Sequence, residues 1–208
     1  MRFIGDVHGK YTRYGKLMKK YGGPSIQVGD MGVGFYTYGP GGEGIIPVAN
    51  PPHDRMVKYN ARFIRGNHDN PEVCKRHSQY IPDGHYEDDM FFCGGAGSID
   101  RAMRTEGMSW WADEELSMNE LNEIVDKVAD LKPKIMVTHE CPEFLAAMIL
   151  HPKEKYDMPS ITRQAFESIY HFHQPDLWIF GHWHKSFDYI HEGKTRFKCL
   201  NELEVFDI

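Results

Sequence analysis

Leu177-Trp178-Ile179-Phe180-Gly181-His182-Trp183-His184 is an apolar run that ends, through one glycine, in a histidine, with a second histidine two places further on. Four other apolar runs end in a ligand-type residue, three of them through a glycine: Phe3-Ile4-Gly5-Asp6, Ile26-Gln27-Val28-Gly29-Asp30, Phe63-Ile64-Arg65-Gly66-Asn67 and Ile135-Met136-Val137-Thr138-His139. Short apolar runs closed by turn residues read as buried strands, and each of these delivers a side chain able to ligate a metal. Asp6 and His8, like His182 and His184, stand at alternate positions, which face one side wherever the backbone is extended. One such element carries little weight. Five that end alike describe a metal-binding rim built at the edge of a sheet.

The 208 residues are enough to bury a sizeable core, and the length fits a single domain over 1–208. At 41% hydrophobic and 26% charged the composition is that of an ordinary globular chain, and no apolar stretch approaches the roughly 20 residues that span a bilayer. No membrane role is expected. A formal charge of -6 argues against nonspecific nucleic-acid binding, which draws on many Lys and Arg neutralising phosphates. Small phosphate substrates remain open, because bound metals supply positive charge. Cys74, Cys93, Cys141 and Cys199 form no C-x-x-C pair, so reduced, buried thiols in a cytoplasm are expected. The first residues lack the charged and apolar regions of a leader peptide, which also favours a cytoplasmic location.

Between the ligand-bearing strands, Tyr11 to Tyr21 reads as a helix with Tyr14, Leu17, Met18 and Tyr21 on one face, stopped by Gly22-Gly23-Pro24. Ser117 followed by Glu120 is a capping-box pattern that opens a second helix with the stripe Leu121, Ile124, Val125 and Val128. A third helix is expected near Thr162 to Phe172. Met90 to Cys93 reads as a strand running into Gly94-Gly95, where glycines permit close backbone approach. The tail alternates like β-structure around a hairpin turn at Glu192-Gly193-Lys194, and the segment around Pro142, Pro152 and Pro159 reads as irregular. The Gly- and Pro-rich stretch from 32 to 52 reads as a functional loop or lid over the rim, with Phe35, Tyr36 and Tyr38 offering flat faces.

Asp, His and Asn without a thiolate suit hard or borderline divalent ions, manganese first, with iron or zinc as alternatives. Seven candidate ligands exceed one ion's needs. Two ions sharing a carboxylate would use them all, and two-metal sites about 3.5–4 Å apart recur in displacement at phosphorus. Phosphoryl transfer is the reaction class that follows.

Gly5-Asp6-Val7-His8-Gly9, Gly29-Asp30, Gly66-Asn67-His68-Asp69, His139 and Gly181-His182-Trp183-His184 resemble, in order and across nearly the whole chain, the motifs of the calcineurin-like metallophosphoesterases. The resemblance implies an α/β fold of four layers, α-β-β-α, with the metal site at the loop edge of the central sheets. It implies that Asp6, His8, Asp30 and His184 bind one ion and that Asp30, Asn67, His139 and His182 bind the other, Asp30 bridging. It further implies that His68 is not a ligand and acts as proton donor or transition-state stabiliser. Asp69 is a candidate to hold the His68 imidazole if the turn folds it back. The chain departs from the protein serine/threonine phosphatase branch, which has an aspartate and arginine shortly after its second motif, whereas here Gly29-Asp30 is followed by Met31-Gly32-Val33-Gly34. Another cation is then needed for the phosphate, and Arg101 and Arg104 are candidates because Arg binds phosphate through paired hydrogen bonds.

Other motifs read as structural. His171-Phe172-His173 repeats the His-x-His spacing but falls at a helix end, where residues two apart diverge. His53, His77, His85, His151 and His191 lack a strand-end context. Cys141 near His139 has no identifiable orienting partner for a nucleophile, Trp110-Trp111 reads as packing, and Gly39 to Gly44 lacks the Lys-Ser/Thr of a P-loop. The expectation is a metal-dependent phosphoesterase in which a metal-bound hydroxide attacks a phosphomonoester in line. A phosphodiesterase or nuclease is the alternative, and a non-catalytic metal-stabilised scaffold the rival from another class.

Overall fold

Alternate residues of each central strand enter different cores, and this sorts the chain into layers. In β1 (Arg2–Ile4), Phe3 joins an inner cluster with Ile26, Val28, Phe92, Val137 and Ile179, whereas Ile4 joins an outer one with Tyr14, Met18, Met56 and Phe63. The computed structural model describes residues 1–39, 44–150 and 159–208. The middle of the Gly39 to Gly44 run, His151 and Pro152 lie outside the described residues.

A four-stranded sheet runs in the order β12 (Val205–Asp207), β1, β2 (Ser25–Gln27), β5 (Ala61–Phe63), with β1, β2 and β5 parallel and β12 antiparallel to β1. A six-stranded sheet runs β10 (Phe187–His191), β11 (Thr195–Cys199), β9 (Leu177–Phe180), β8 (Ile135–Thr138), β7 (Met90–Cys93), β6 (His85–Glu87). Its four middle strands are parallel and both edge strands antiparallel. The inner cluster fills the space between the sheets. On the far side of the six-stranded sheet, Phe91, Met136, Trp178 and Phe180 pack against Leu121, Ile124, Leu145, Phe166 and Ile169. Those partners belong to α4 (Met118–Leu131), α5 (Glu143–Ile149) and α6 (Ile161–Phe172). On the far side of the other sheet lie α1 (Tyr11–Tyr21), α2 (His53–Tyr59) and the single turn α3 (Pro71–Cys74). The result is the four-layer α-β-β-α fold. Strands buried on both faces read as continuous apolar runs, which is why these were legible in sequence.

Several elements refine the expectations. The capping box forms, with Ser117 accepting from the Glu120 amide and the Glu120 carboxylate accepting from the Ser117 amide. Such a cap contributes about 1 kcal/mol. In α1, Tyr14 and Met18 are buried, but Tyr21 at the end of the expected stripe is exposed. Within the stretch expected to be a loop or lid, β3 (Tyr36–Tyr38) and β4 (Ile45–Pro47) pair antiparallel. The segment around Pro142 contains α5, whose Leu145, Ala146 and Ile149 face the core. His173 ends α6 and donates to the Pro133 carbonyl at 2.7 Å, away from the ligand rim. All four cysteines are buried and unpaired. No helix among the described residues is long and apolar enough to cross a membrane.

Candidate metal centre

Asp6, His8, Asp30, Asn67, His139, His182 and His184 all lie just past the C-terminal ends of β1, β2, β5, β8 and β9. Those strands are parallel within their sheets, so their ends gather at one edge, the usual place for a site in such folds. Two sheets therefore build the rim, where the sequence pointed to one. The turns are tied to each other. The Asp30 carbonyl accepts the amides of Val7 at 3.0 Å and His8 at 2.8 Å, and the Gly181 amide donates to the His139 carbonyl at 3.2 Å. The His182 amide lies 3.1 Å from Asp6 Oδ2.

Sharp turns aim the side chains. His8, Asp30, His182 and His184 have φ of 46°, 58°, 69° and 50°. This left-handed region is unfavourable for a residue with a Cβ by roughly 1–2 kcal/mol, and such strain collects at functional sites. The glycines before the ligands answer a second need, close approach. A Cβ on Gly66 would run into the Asp30 carboxylate and stand 2.7 Å from His139 Nε2, and one on Gly29 would overlap the His139 ring.

The donor atoms form two groups that share Asp30. Asp6, His8, Asp30 and His184 make the first, and Asp30, His139 and His182 the second, with donor atoms within 4.8 Å of one another in each. In the first, His8 Nε2 and His184 Nε2 are 2.8 Å apart and His184 Nε2 is 3.2 Å from Asp6 Oδ2. In the second, His139 Nε2 is 3.2 Å from Asp30 Oδ1, and Asn67 Oδ1 sits 3.2 Å from His139 Nε2 and 3.0 Å from His182 Nδ1. Asn67 Oδ1 thus lies against both histidines of the second group.

This arrangement fits divalent cations. Asp6 and Asp30 are buried carboxylates, yet among the described residues no Lys or Arg pairs with either, only histidines. An uncompensated buried charge is costly, so positive charge is required. Burial disfavours a charged His139, but Asp30 and then Asp6 overcome it and push the imidazole up to about 10. A divalent ion supplies the same charge in place of a proton. Burial also opposes the Asp30 anion, but His139, His68 and His8 hold it well below the usual carboxylate range. His182 is kept neutral, the ligating form, by burial and by His139. His139 Nδ1 is 2.8 Å from the Val28 carbonyl, which claims that nitrogen's proton and leaves Nε2 to the site.

Glu140 was not anticipated from sequence. It is fully buried behind His182, with Oε2 3.7 Å from His182 Nε2 and 3.9 Å from Arg163, and its Oε1 accepts from the Cys141 amide at 2.8 Å and the Trp183 indole at 2.9 Å. An acid placed directly after an apolar strand and its ligand was the available signal.

His68 stands beside the two donor groups and belongs to neither. Its ring lies on Phe35, with centroids 4.7 Å apart and planes at 21°, and meets His8 edge-on at 4.7 Å. Arg104 Nη2 is 2.7 Å from His68 Nε2, and since Arg can only donate, that nitrogen is unprotonated. Burial, helped by Arg104, outweighs the pull of Asp30 and lowers His68 to about 4. Asp69 takes a different place from the one anticipated. Its carboxylate accepts the amides of Met31 (3.1 Å), Gly32 (2.6 Å), Val33 (2.8 Å) and Gly66 (2.8 Å), so it ties two ligand turns together and does not hold the imidazole. Burial and Asp30 push it up to about 6 against those amides. The two arginines also separate. Arg104 lines a cleft of about 550 Å³ with Asp30, His68, Ile99, Trp183 and Lys185, whereas Arg101 is exposed on the adjoining turn and outside that lining.

No curated protein compared with the chain matches it. The family model for calcineurin-like phosphoesterases matches residues 2–186, a span that holds both donor groups. With that match over most of its length, the chain belongs to the calcineurin-like phosphoesterase family and is a metal-dependent phosphoesterase.

Proposed function

We propose that the chain is a dinuclear phosphomonoesterase, with Asp6, His8, Asp30 and His184 holding one ion, and Asp30, Asn67, His139 and His182 the other. The observation that carries this reading is the sharing of Asp30 between two donor groups of otherwise separate residues. The oxygen and imidazole donors favour manganese, then iron or zinc. Bound divalent ions supply Lewis acidity toward the phosphoryl oxygens and lower the pKa of water at the site. The chain's own residues do the rest. Arg104, at the cleft wall, supplies the cation for phosphoryl oxygens that this sequence lacks after Asp30. His68, with Nε2 engaged by Arg104, carries its proton on Nδ1 and acts as a hydrogen-bond donor to charge developing on the leaving oxygen. Asp69 and Asp30 hold the turn on which His68 stands, the latter through the His68 amide at 2.8 Å.

A volume of about 550 Å³ with Ile99, Leu150 and Trp183 in its wall exceeds what a phosphoryl group needs, which favours a substrate with an apolar or flat body. A panel of phosphomonoesters, diesters, cyclic nucleotides and phosphopeptides, run with manganese, tests the reading. Faster turnover of monoesters is expected. Diesters turned over at higher kcat/KM than every monoester would replace it with a phosphodiesterase.

A further inference from the structure

Asn67 differs from the other candidate ligands in one respect: its amide offers an oxygen on one side and a nitrogen on the other, and only the oxygen binds a cation. Something must fix which end faces the site. Asn67 Nδ2 is 2.9 Å from Ser98 Oγ, and Arg104 Nη1 is 3.1 Å from the same oxygen. Both are obligate donors, so they occupy the hydroxyl's two lone pairs and its proton must go elsewhere. It goes to Glu114, whose Oε2 receives the Ser98 hydroxyl while its Oε1 receives the Ser98 amide at 2.8 Å. Ser98 and Glu114 are both buried, exposed by 1% and 4%. Glu114 is held in turn through its backbone carbonyl, which accepts from Arg65 Nη1 at 2.9 Å, and a Cβ on Gly95 would collide with that carbonyl.

We propose that Glu114, acting through Ser98, is the positioning residue that sets the polarity of Asn67, and with it the competence of the second cation group. Every hydrogen bond in the chain has one allowed direction as long as Glu114 is an acceptor at both oxygens. The same hydroxyl also registers Arg104, whose Nε pairs with Asp100 Oδ1 at 2.7 Å and whose Nη2 meets His68, so one serine aligns a ligand and a substrate-facing cation. Neither Ser98 nor Glu114 ligates an ion. The inference rests on Asn67 serving as a ligand.

The isosteric change Glu114→Gln replaces one acceptor with a donor at unchanged shape, and the neutral pair Ser98→Ala and Ser98→Thr controls for the charge it removes. The introduced amide nitrogen would donate to Ser98 Oγ, the Ser98 proton would turn toward Asn67, and the Asn67 amide would flip its nitrogen into the site. Calorimetric titration of the purified chain with Mn2+ should give two classes of ion in the wild type. In Glu114→Gln the second class should weaken roughly 10–100-fold, the usual cost of losing an outer partner of a ligand, and the first should hold. Ser98→Ala should act likewise and Ser98→Thr, which keeps the hydroxyl, should restore affinity. A merely structural role would lower Tm and leave both affinities unchanged. Two ions bound by Glu114→Gln as tightly as by the wild type would overturn the inference. Should Glu114→Gln not fold, the Ser98→Ala and Ser98→Thr pair decides, and equal affinities there overturn it too. A wild type that takes one ion would overturn the dinuclear reading instead, and the inference then stands or falls on whether Glu114→Gln weakens that ion.

Discussion

His68 and Arg104 divide between them the work left after the ligands are assigned. Since Arg104 donates to His68 Nε2, the imidazole offers one proton and no positive charge of its own. His68→Ala is expected to keep its metal and lose on the order of 10²–10³ in kcat, the cost of removing one well-placed donor. The loss should be smaller for aryl phosphates with good leaving groups, and a leaving-group series of kcat values checks this. Arg104→Ala should raise KM for phosphate esters by about tenfold or more, because a charged contact is worth roughly 1.5–3 kcal/mol. Arg101→Ala, at an exposed position outside the cleft, should leave KM within twofold by the same comparison, as surface changes usually do. The residues that the fold gathers as candidate donors were legible in sequence, because Asp6, Asp30, Asn67, His139 and His182 each follow an apolar strand and His8 and His184 stand two places further on. The partners of Asp69 and the burial of Glu140 were not, since both depend on which turns the fold brings together.

At the scale of elements, the ligand turns are built to let side chains pass where a Cβ would stand. Gly66→Ala is therefore expected to displace Asp30 and His139 together. It should cost metal in both groups while the far-ultraviolet spectrum stays that of the wild type; unchanged metal content would refute the close-approach argument. The hairpin of β3 and β4 brings Phe35 onto His68 and sets Val48 beside Gly9, with the Val48 amide donating to the Phe35 carbonyl at 2.7 Å. Its exposed Tyr38, Ile45 and Ile46 sit beyond the site. Phe35→Ala should leave metal binding intact and change turnover of a bulky substrate more than that of a small aryl phosphate, which needs few remote contacts. Equal effects on both would make Phe35 a support for His68 alone. The stretch from 32 to 52 reads in sequence as a functional loop or lid, with no strands in it, because its glycines and prolines mask strands of three residues each. α5 was hidden for a like reason, being seven residues long and opened by Pro142 with no side-chain cap.

The four- and six-stranded sheets share one apolar cluster between their inner faces and one polar cluster at their strand ends. Joining both sheets through buried ligands couples metal binding to stability: an ion at 100 times its Kd adds about 2.7 kcal/mol, and a chelator should lower Tm accordingly. The direction with pH follows from ligand chemistry. Histidines must be neutral and carboxylates ionised to bind, and against its burial Asp30 and Asp6 hold His139 protonated up to about 10, so affinity should fall as pH drops from about 10 downward, with proton release on binding measurable by calorimetry in buffers of different ionisation heat. The layer order was legible because each central strand alternates between two apolar cores, whereas the pairing of β12 with β1, across most of the chain's length, left no local trace in the sequence.

The central claim is that one carboxylate, Asp30, serves two cations. Metal quantification on the wild type and Asp30→Asn after saturation with manganese tests it most directly. Two ions per wild-type chain, with both lost or weakened together in Asp30→Asn, is the predicted result. At most one ion in a fully active wild type, or an Asp30→Asn variant that keeps one ion at undiminished affinity, would contradict it.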